Sequence, residues 1–239
     1  MSNSKINNDI ESRKTDPNWS AAHWLGFTSA VLTVVLAAVF IALGIFGTSY
    51  TASNPYPYIS PIIKNIDYAI FYPAFLLAPV FVVLMTCIHY YASDNKKIFS
   101  QIGLSFAIIY AAIITTDYFI QWTVVLPSII NGQTGNLSLI SIYNPHGIFV
   151  ALESLGYLIM NIAFLFTATV FNGGRLERAI KWIFVISFIL AMGSFLFTSL
   201  MKYDIVIFEV IIISIICTVL IISGTLLSIL FRRTMRIGR

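Results

Sequence analysis

Asp117, Glu153 and Glu209 lie inside long apolar runs of this 239-residue chain. On insertion scales a charged side chain at mid-membrane costs about 2.5–3.5 kcal/mol, so acids in such runs need a reason. Carboxylates in a low-dielectric interior with no fixed cation beside them can share a proton, accept a cation, or act as general acid and base. The surrounding residues repeat at helical spacing. His146, Glu153, Tyr157 and Asn161 fall on one helix face, and Tyr110, Asp117 and Gln121 fall on another. Polar stripes of this kind face a bundle interior or a water-filled cavity rather than lipid. The two stripes are therefore expected to face each other and form an acidic pocket open to the outer side. Glu209 reads as a lone interfacial acid or, with Asp67, as a rim member of that pocket, and His146 stands at its mouth as a candidate counter-charge or proton relay. The plain alternative is an acid pair that only joins two helices. Asn144-Pro145 before His146 equally reads as a helix start.

The chain shows no Walker loop, no GxGxxG, no HExxH and no GxSxG. No nucleophile stands beside a base, so catalysis ranks below binding. Three scattered His and two Cys in apolar runs make no metal site and no disulfide framework, and no cofactor is expected.

The elements that must position these acids follow from composition. Hydrophobic residues make up 58% of the chain and charged residues 10%. Mean hydropathy is +0.87. A soluble domain is about 45–50% apolar and about 25% charged. The chain is thus expected to be an all-α integral membrane protein, and a nucleic-acid-binding role is excluded despite the pI of 9.1. Six runs are long enough to span, at about 24–48, 66–92, 98–128, 147–171, 178–200 and 204–231. None alternates as a membrane β-strand would. A polar tail, 1–22, precedes this membrane domain of 23–232, and a basic tail, 233–239, follows it. The first tail mixes acids and bases and does not read as a signal peptide.

Lys and Arg fix the expected orientation. Twelve of the fourteen fall on one side of a six-span topology, and only Lys64 and Lys202 on the other. The positive-inside rule then puts both termini in the cytoplasm. Asp117 lies roughly 15 Å, Glu153 roughly 9 Å and Glu209 roughly 7 Å inside the outer ends of their spans at 1.5 Å per residue. All the membrane-level acids are therefore in the outer half. Two prolines, Pro73 and Pro79, are expected to kink the second span. His89, next to Tyr90 and Tyr91, reads as an interfacial belt residue.

The stretch Tyr118-Phe119-Ile120-Gln121, followed by Asn144-Pro145-His146-Gly147 and Ala151-Leu152-Glu153-Ser154-Leu155-Gly156-Tyr157-Leu158-Ile159-Met160, resembles a family of uncharacterised bacterial polytopic membrane proteins. The resemblance implies a six-helix membrane architecture and no activity. It covers the segment holding Asp117, Gln121, His146, Glu153 and Tyr157.

The expected function is binding of a small apolar or cationic molecule in the acidic pocket, in a bacterial plasma membrane, with lipid as the surrounding partner. Two other readings stand beside it: a proton-coupled transporter using Asp117 and Glu153, and a non-catalytic membrane scaffold. A homo-oligomer would supply the symmetry that the single chain lacks as a carrier.

Overall fold

The computed structural model describes residues 17–51, 69–133, 137, 139–142, 144, 146–200 and 205–237. Six helices dominate: α1 (Pro17–Thr51), α2 (Phe71–Tyr91), α3 (Lys97–Ile120), α4 (Ile148–Ala168), α5 (Arg175–Leu200) and α6 (Ile205–Ile237). No strand occurs among the described residues. Each helix contains a stretch long and apolar enough to cross a membrane. In hydrocarbon every backbone N–H and C=O must be satisfied within its own segment, which is why such runs become helices.

Several boundaries differ from the sequence expectation for local reasons. α1 starts at Pro17 rather than after residue 22. A proline at the first helical position loses no hydrogen bond and has its φ preset. α2 starts at Phe71, so Pro73 is its third residue, where a missing N–H costs nothing. Only Pro79 sits in the helix interior. α6 continues to Ile237, so residues 233–237 are helical instead of belonging to a separate tail. Cations there complement the negative end of the helix dipole. α3 runs on through a π-helical turn, Gln121–Val125, into a last α-turn, Leu126–Ile130.

Each helix packs on its neighbour in sequence, α6 closes the ring against α1, and α4 also touches α6. Two pairs approach closely because glycine lies at the contact. In α1–α6, a Cβ on Gly26 would lie 2.8 Å from the Phe231 ring, and one on Gly224 would lie 2.8 Å from Val34. In α3–α4, a Cβ on Gly103 would lie 3.0 Å from the Ala163 carbonyl oxygen and closer still to Thr167 Oγ1. Small residues bring backbones together where no hydrophobic force drives helices into contact.

His23, Tyr91 and Phe231 meet edge-on with ring centroids 5.9–6.4 Å apart. The start of α1 and the ends of α2 and α6 therefore share one end of the bundle, together with the α2–α3 and α4–α5 turns. Every Lys and Arg whose side chain is described sits on these turns or helix ends: Lys96, Lys97, Arg175, Arg178, Lys181, Arg232 and Arg233. The expected rim acid Asp67, together with Asp204, Lys64 and Lys202, lies outside the described residues.

Gly103→Ala should therefore lower thermal stability in detergent by an amount equivalent to about 1–3 kcal/mol, the usual cost of overpacking. A Cβ on Gly193 of α5 would meet nothing within 4 Å. Gly193→Ala should be neutral or raise the melting temperature, through helix propensity worth about 1 kcal/mol. Equal melting temperatures for the two variants would contradict the close α3–α4 contact.

Candidate functional site: a buried acid cluster between α3, α4 and α6

Glu153 is the centre of the cluster. It sits in the second turn of α4 and is 3% exposed. Its Oε1 accepts the Tyr118 hydroxyl of α3 at 2.5 Å and the Tyr157 hydroxyl of α4 at 3.0 Å. Glu209 of α6 is hydrogen-bonded to it as well. A hydrogen bond between two carboxyl groups requires a proton on one of them.

Asp117 of α3 lies within electrostatic range of Glu153 and is 2% exposed. Its Oδ2 is buried with no hydrogen-bond partner. Buried polar atoms are rarely left unpaired, so each exception calls for an explanation. Tyr110, one helical face below, is buried and packs against the Tyr157 ring with centroids 6.5 Å apart.

The α4 stripe continues away from the acids. Asn161 Nδ2 donates to the Tyr157 carbonyl oxygen at 2.9 Å, and Ser187 Oγ of α5 donates to Asn161 Oδ1 at 2.5 Å. Glu153, Tyr157 and Asn161 thus share the interior face that their spacing foretold. Asp117 faces the same interior from α3.

Two candidates have other partners. Gln121 is buried, but its amide clamps the α3–α4 loop: Nε2 donates to the Ile140 carbonyl oxygen at 2.7 Å, and Oε1 accepts the Ile142 N–H at 3.1 Å. His146 is exposed on the turn before α4, where its backbone N–H donates to Asn144 Oδ1 at 3.0 Å. The helix-start reading of Asn144 describes this geometry.

Sequence reasoning missed Tyr118 and Ser187. Tyr118 follows Asp117 directly, about 100° round the helix, so face-matching passes over it. Both are buried because α3 packs against α2 on one side and α4 on the other. The signal for Tyr118 was available as a hydroxyl-bearing aromatic next to a membrane-level acid. Ser187 carries no comparable signal, since an isolated serine in an apolar helix commonly bonds its own backbone.

No family model, no curated protein and no solved structure matches this chain.

Among the described residues no group of three or more His, Cys, Asp or Glu is arranged to hold a metal ion. Cys87 and Cys217 are buried free thiols. At the opposite, lysine- and arginine-bearing end, a cavity of about 320 Å³ opens between the two short turns, lined by Tyr91, Lys96, Asn172 and Glu177 among others. Glu177 is fixed there by the Tyr91 hydroxyl at 2.9 Å and by the backbone N–H groups of Asn172 and Gly173. His89, in the last turn of α2, is half-buried, and its Nδ1 lies 2.8 Å from Ser100 Oγ.

Removing a donor from the buried Glu153 carboxylate should cost about 1.5–3 kcal/mol, the range for hydrogen bonds to charged groups. Tyr118→Phe and Tyr157→Phe are expected to lower the melting temperature accordingly, while the isosteric Asp117→Asn leaves it unchanged or raises it. A melting series with the reverse order would contradict the assignment of Glu153 as the satisfied acid and Asp117 as the unsatisfied one. Gln121→Leu should speed hydrogen exchange of the Ile142 amide by roughly tenfold, since about 1.4 kcal/mol of hydrogen bonding is lost there.

Proposed function

We propose that this chain is a multi-pass plasma-membrane protein that binds a small cationic molecule, apolar apart from its charge, at the acid cluster between α3 and α4, with α6 as a third wall. The observation that carries the reading is Asp117 Oδ2, a buried carboxylate oxygen with no partner. Next to Glu153 and Glu209 it needs positive charge or a donor, and a cationic ligand supplies both. The Tyr118 ring adds an aromatic wall, with Phe71 and Phe149 edge-on at 5.7 and 5.4 Å. Aromatic faces favour cations that have been stripped of water. The end rich in Lys and Arg would face the cytoplasm under the positive-inside rule, which puts both termini there and the acid cluster nearer the outer face.

A second reading, a proton-coupled carrier, draws on the approach of Glu209 to Glu153, because two adjoining carboxyl groups can share and exchange a proton. Resemblance to bacterial polytopic proteins is compatible with either reading and selects neither.

The test is native mass spectrometry of the full chain purified in lipid nanodiscs, comparing wild type with Asp117→Asn and Glu153→Gln. A small cation carried by wild type and lost from both variants supports the binding site. Such a cation should also dissociate as pH falls, because protonation of the cluster removes the charge that holds it. Bulk lipid alone, identical in all three samples, would overturn the binding reading.

A further inference from the structure

The buried polar residues do not end with the acid cluster, and those beyond it have no role in binding there. On α4 the stripe Glu153, Tyr157, Asn161 is followed six residues later by Thr167, about 9 Å further along the helix axis at 1.5 Å per residue. Thr167 is 1% exposed, and its Oγ1 has no hydrogen-bond partner. It packs against Gly103 of α3. One turn from Gly103, Ser100 is buried with its Oγ 2.8 Å from His89 Nδ1. Ser100 also reaches the Lys97 carbonyl oxygen at 2.9 Å and the Lys96 carbonyl oxygen at 3.4 Å, and Lys96 lines the 320 Å³ cavity. Polar side chains therefore approach from both ends of the bundle through the interior beside α4.

Three buried rings separate the two halves. Phe164 of α4 stacks on Phe184 of α5 with centroids 4.4 Å apart and meets Phe81 of α2 edge-on at 5.5 Å. Phe81 in turn stands edge-on to Tyr110 at 5.5 Å. This layer fills the interval between Asn161 and Thr167. Hydrophobic constrictions of this kind close a pathway by excluding water.

We infer that the bundle interior alongside α4 is a proton pathway, with the acid cluster as its station at one end, His89–Ser100 as its station at the other, and the Phe81–Phe164–Phe184 layer as the gate between them. His89 is the titratable side chain at the far end. The charged group acting on it is Lys97 of α3. Glu177 of α5, at the same end, is committed to Tyr91 and the turn amides. In this scheme a proton leaves the Glu153–Glu209 pair and crosses the aromatic interval when ring motion admits water. The His89 imidazole receives it and releases it toward the cavity side. The inference rests on the acid cluster exchanging positive charge, as proposed above, and extends it to translocation.

The test uses the full chain reconstituted in phosphatidylcholine–phosphatidylglycerol vesicles loaded with a pH-sensitive dye, with valinomycin and potassium to clamp the voltage. Phe164→Ala opens the gate and should raise proton flux on the order of tenfold over wild type. Phe184→Leu keeps the volume filled while removing the stacked ring, and should raise flux in the same direction if Phe164→Ala does not fold. Adding His89→Gln or Glu153→Gln to the conducting variant should return flux toward wild type. Flux equal to that of protein-free vesicles in the folded gate variants would overturn the pathway. Flux that is raised but unaffected by His89→Gln would overturn His89 as the far station. A cation lost from Glu153→Gln in nanodiscs, with no flux through any gate variant, would leave the binding site standing and remove only the pathway.

Discussion

The buried charge at Glu153 constrains the bundle more than any other single group. An ionised carboxylate taken out of water without partners costs far more than a domain has to spare, and a hydrogen-bonded one is tolerated. Glu153 is satisfied by groups from three helices: Tyr118 on α3, Tyr157 on α4 itself and Glu209 on α6. The rotation of α3 about its axis is set by bringing Tyr118 to the carboxylate, which places Asp117 and Tyr110 in the same interior. α6 is drawn toward α4 across the ring. Packing alone would let these helices slip by a turn, since Leu and Ile fit many registers, whereas a buried acid with aligned donors fits one.

Glycine supplies the closeness that this geometry needs. The Gly103 contact with Ala163 and Thr167 brings the α3 and α4 backbones together toward one end of the helices, and Gly156 receives Ile114 nearer the acids. With α3 and α4 closely packed along their length, Tyr118 can span to Glu153 with a short hydrogen bond. The α1–α6 pair repeats the device through Gly26 and Gly224, and so closes the ring. α5 contributes least to the interior, but it sends in Ser187 and Phe184, the two side chains that meet Asn161 and Phe164.

The fold was largely legible because its signals are long. A run of about twenty apolar residues averages over local detail, so six helices and their order could be read directly. Their ends could not, because single residues decide them. Pro17 begins a helix that composition assigned to a tail, and Pro73 falls in a first turn where it breaks nothing. The site was legible where depth and spacing agreed, as for Asp117, Glu153, Tyr157 and Asn161. It was not where contacts cross between helices of unknown rotation. Glu209 looked as much like a lone interfacial acid as a rim residue, and only the approach of α6 to α4 brings it to Glu153. Gln121 shares the spacing of Asp117, yet the α3 turn that holds it is π-helical and its amide is taken by the loop backbone. The contact of His89 with Ser100 was hidden in the same way, because the serine is on another helix.

The charge arithmetic of the cluster limits what it can do. Two like charges 4 Å apart repel by about 4 kcal/mol even at an effective dielectric of 20. Asp117, Glu153 and Glu209 cannot all be ionised without an occupant that offsets this repulsion. Among the described side chains every Lys and Arg sits at the opposite end of the bundle, so none of these supplies it. Protons or a mobile cation would supply it under the proposed function, and both are exchangeable. A purely structural acid pair would be held more stably by a fixed arginine or by amides of the same shape, because replacing a buried ionic group by a well-packed neutral one is often neutral or stabilising. Three acids kept together with no base beside them among the described side chains fit the proposed cation site better than they fit a clamp.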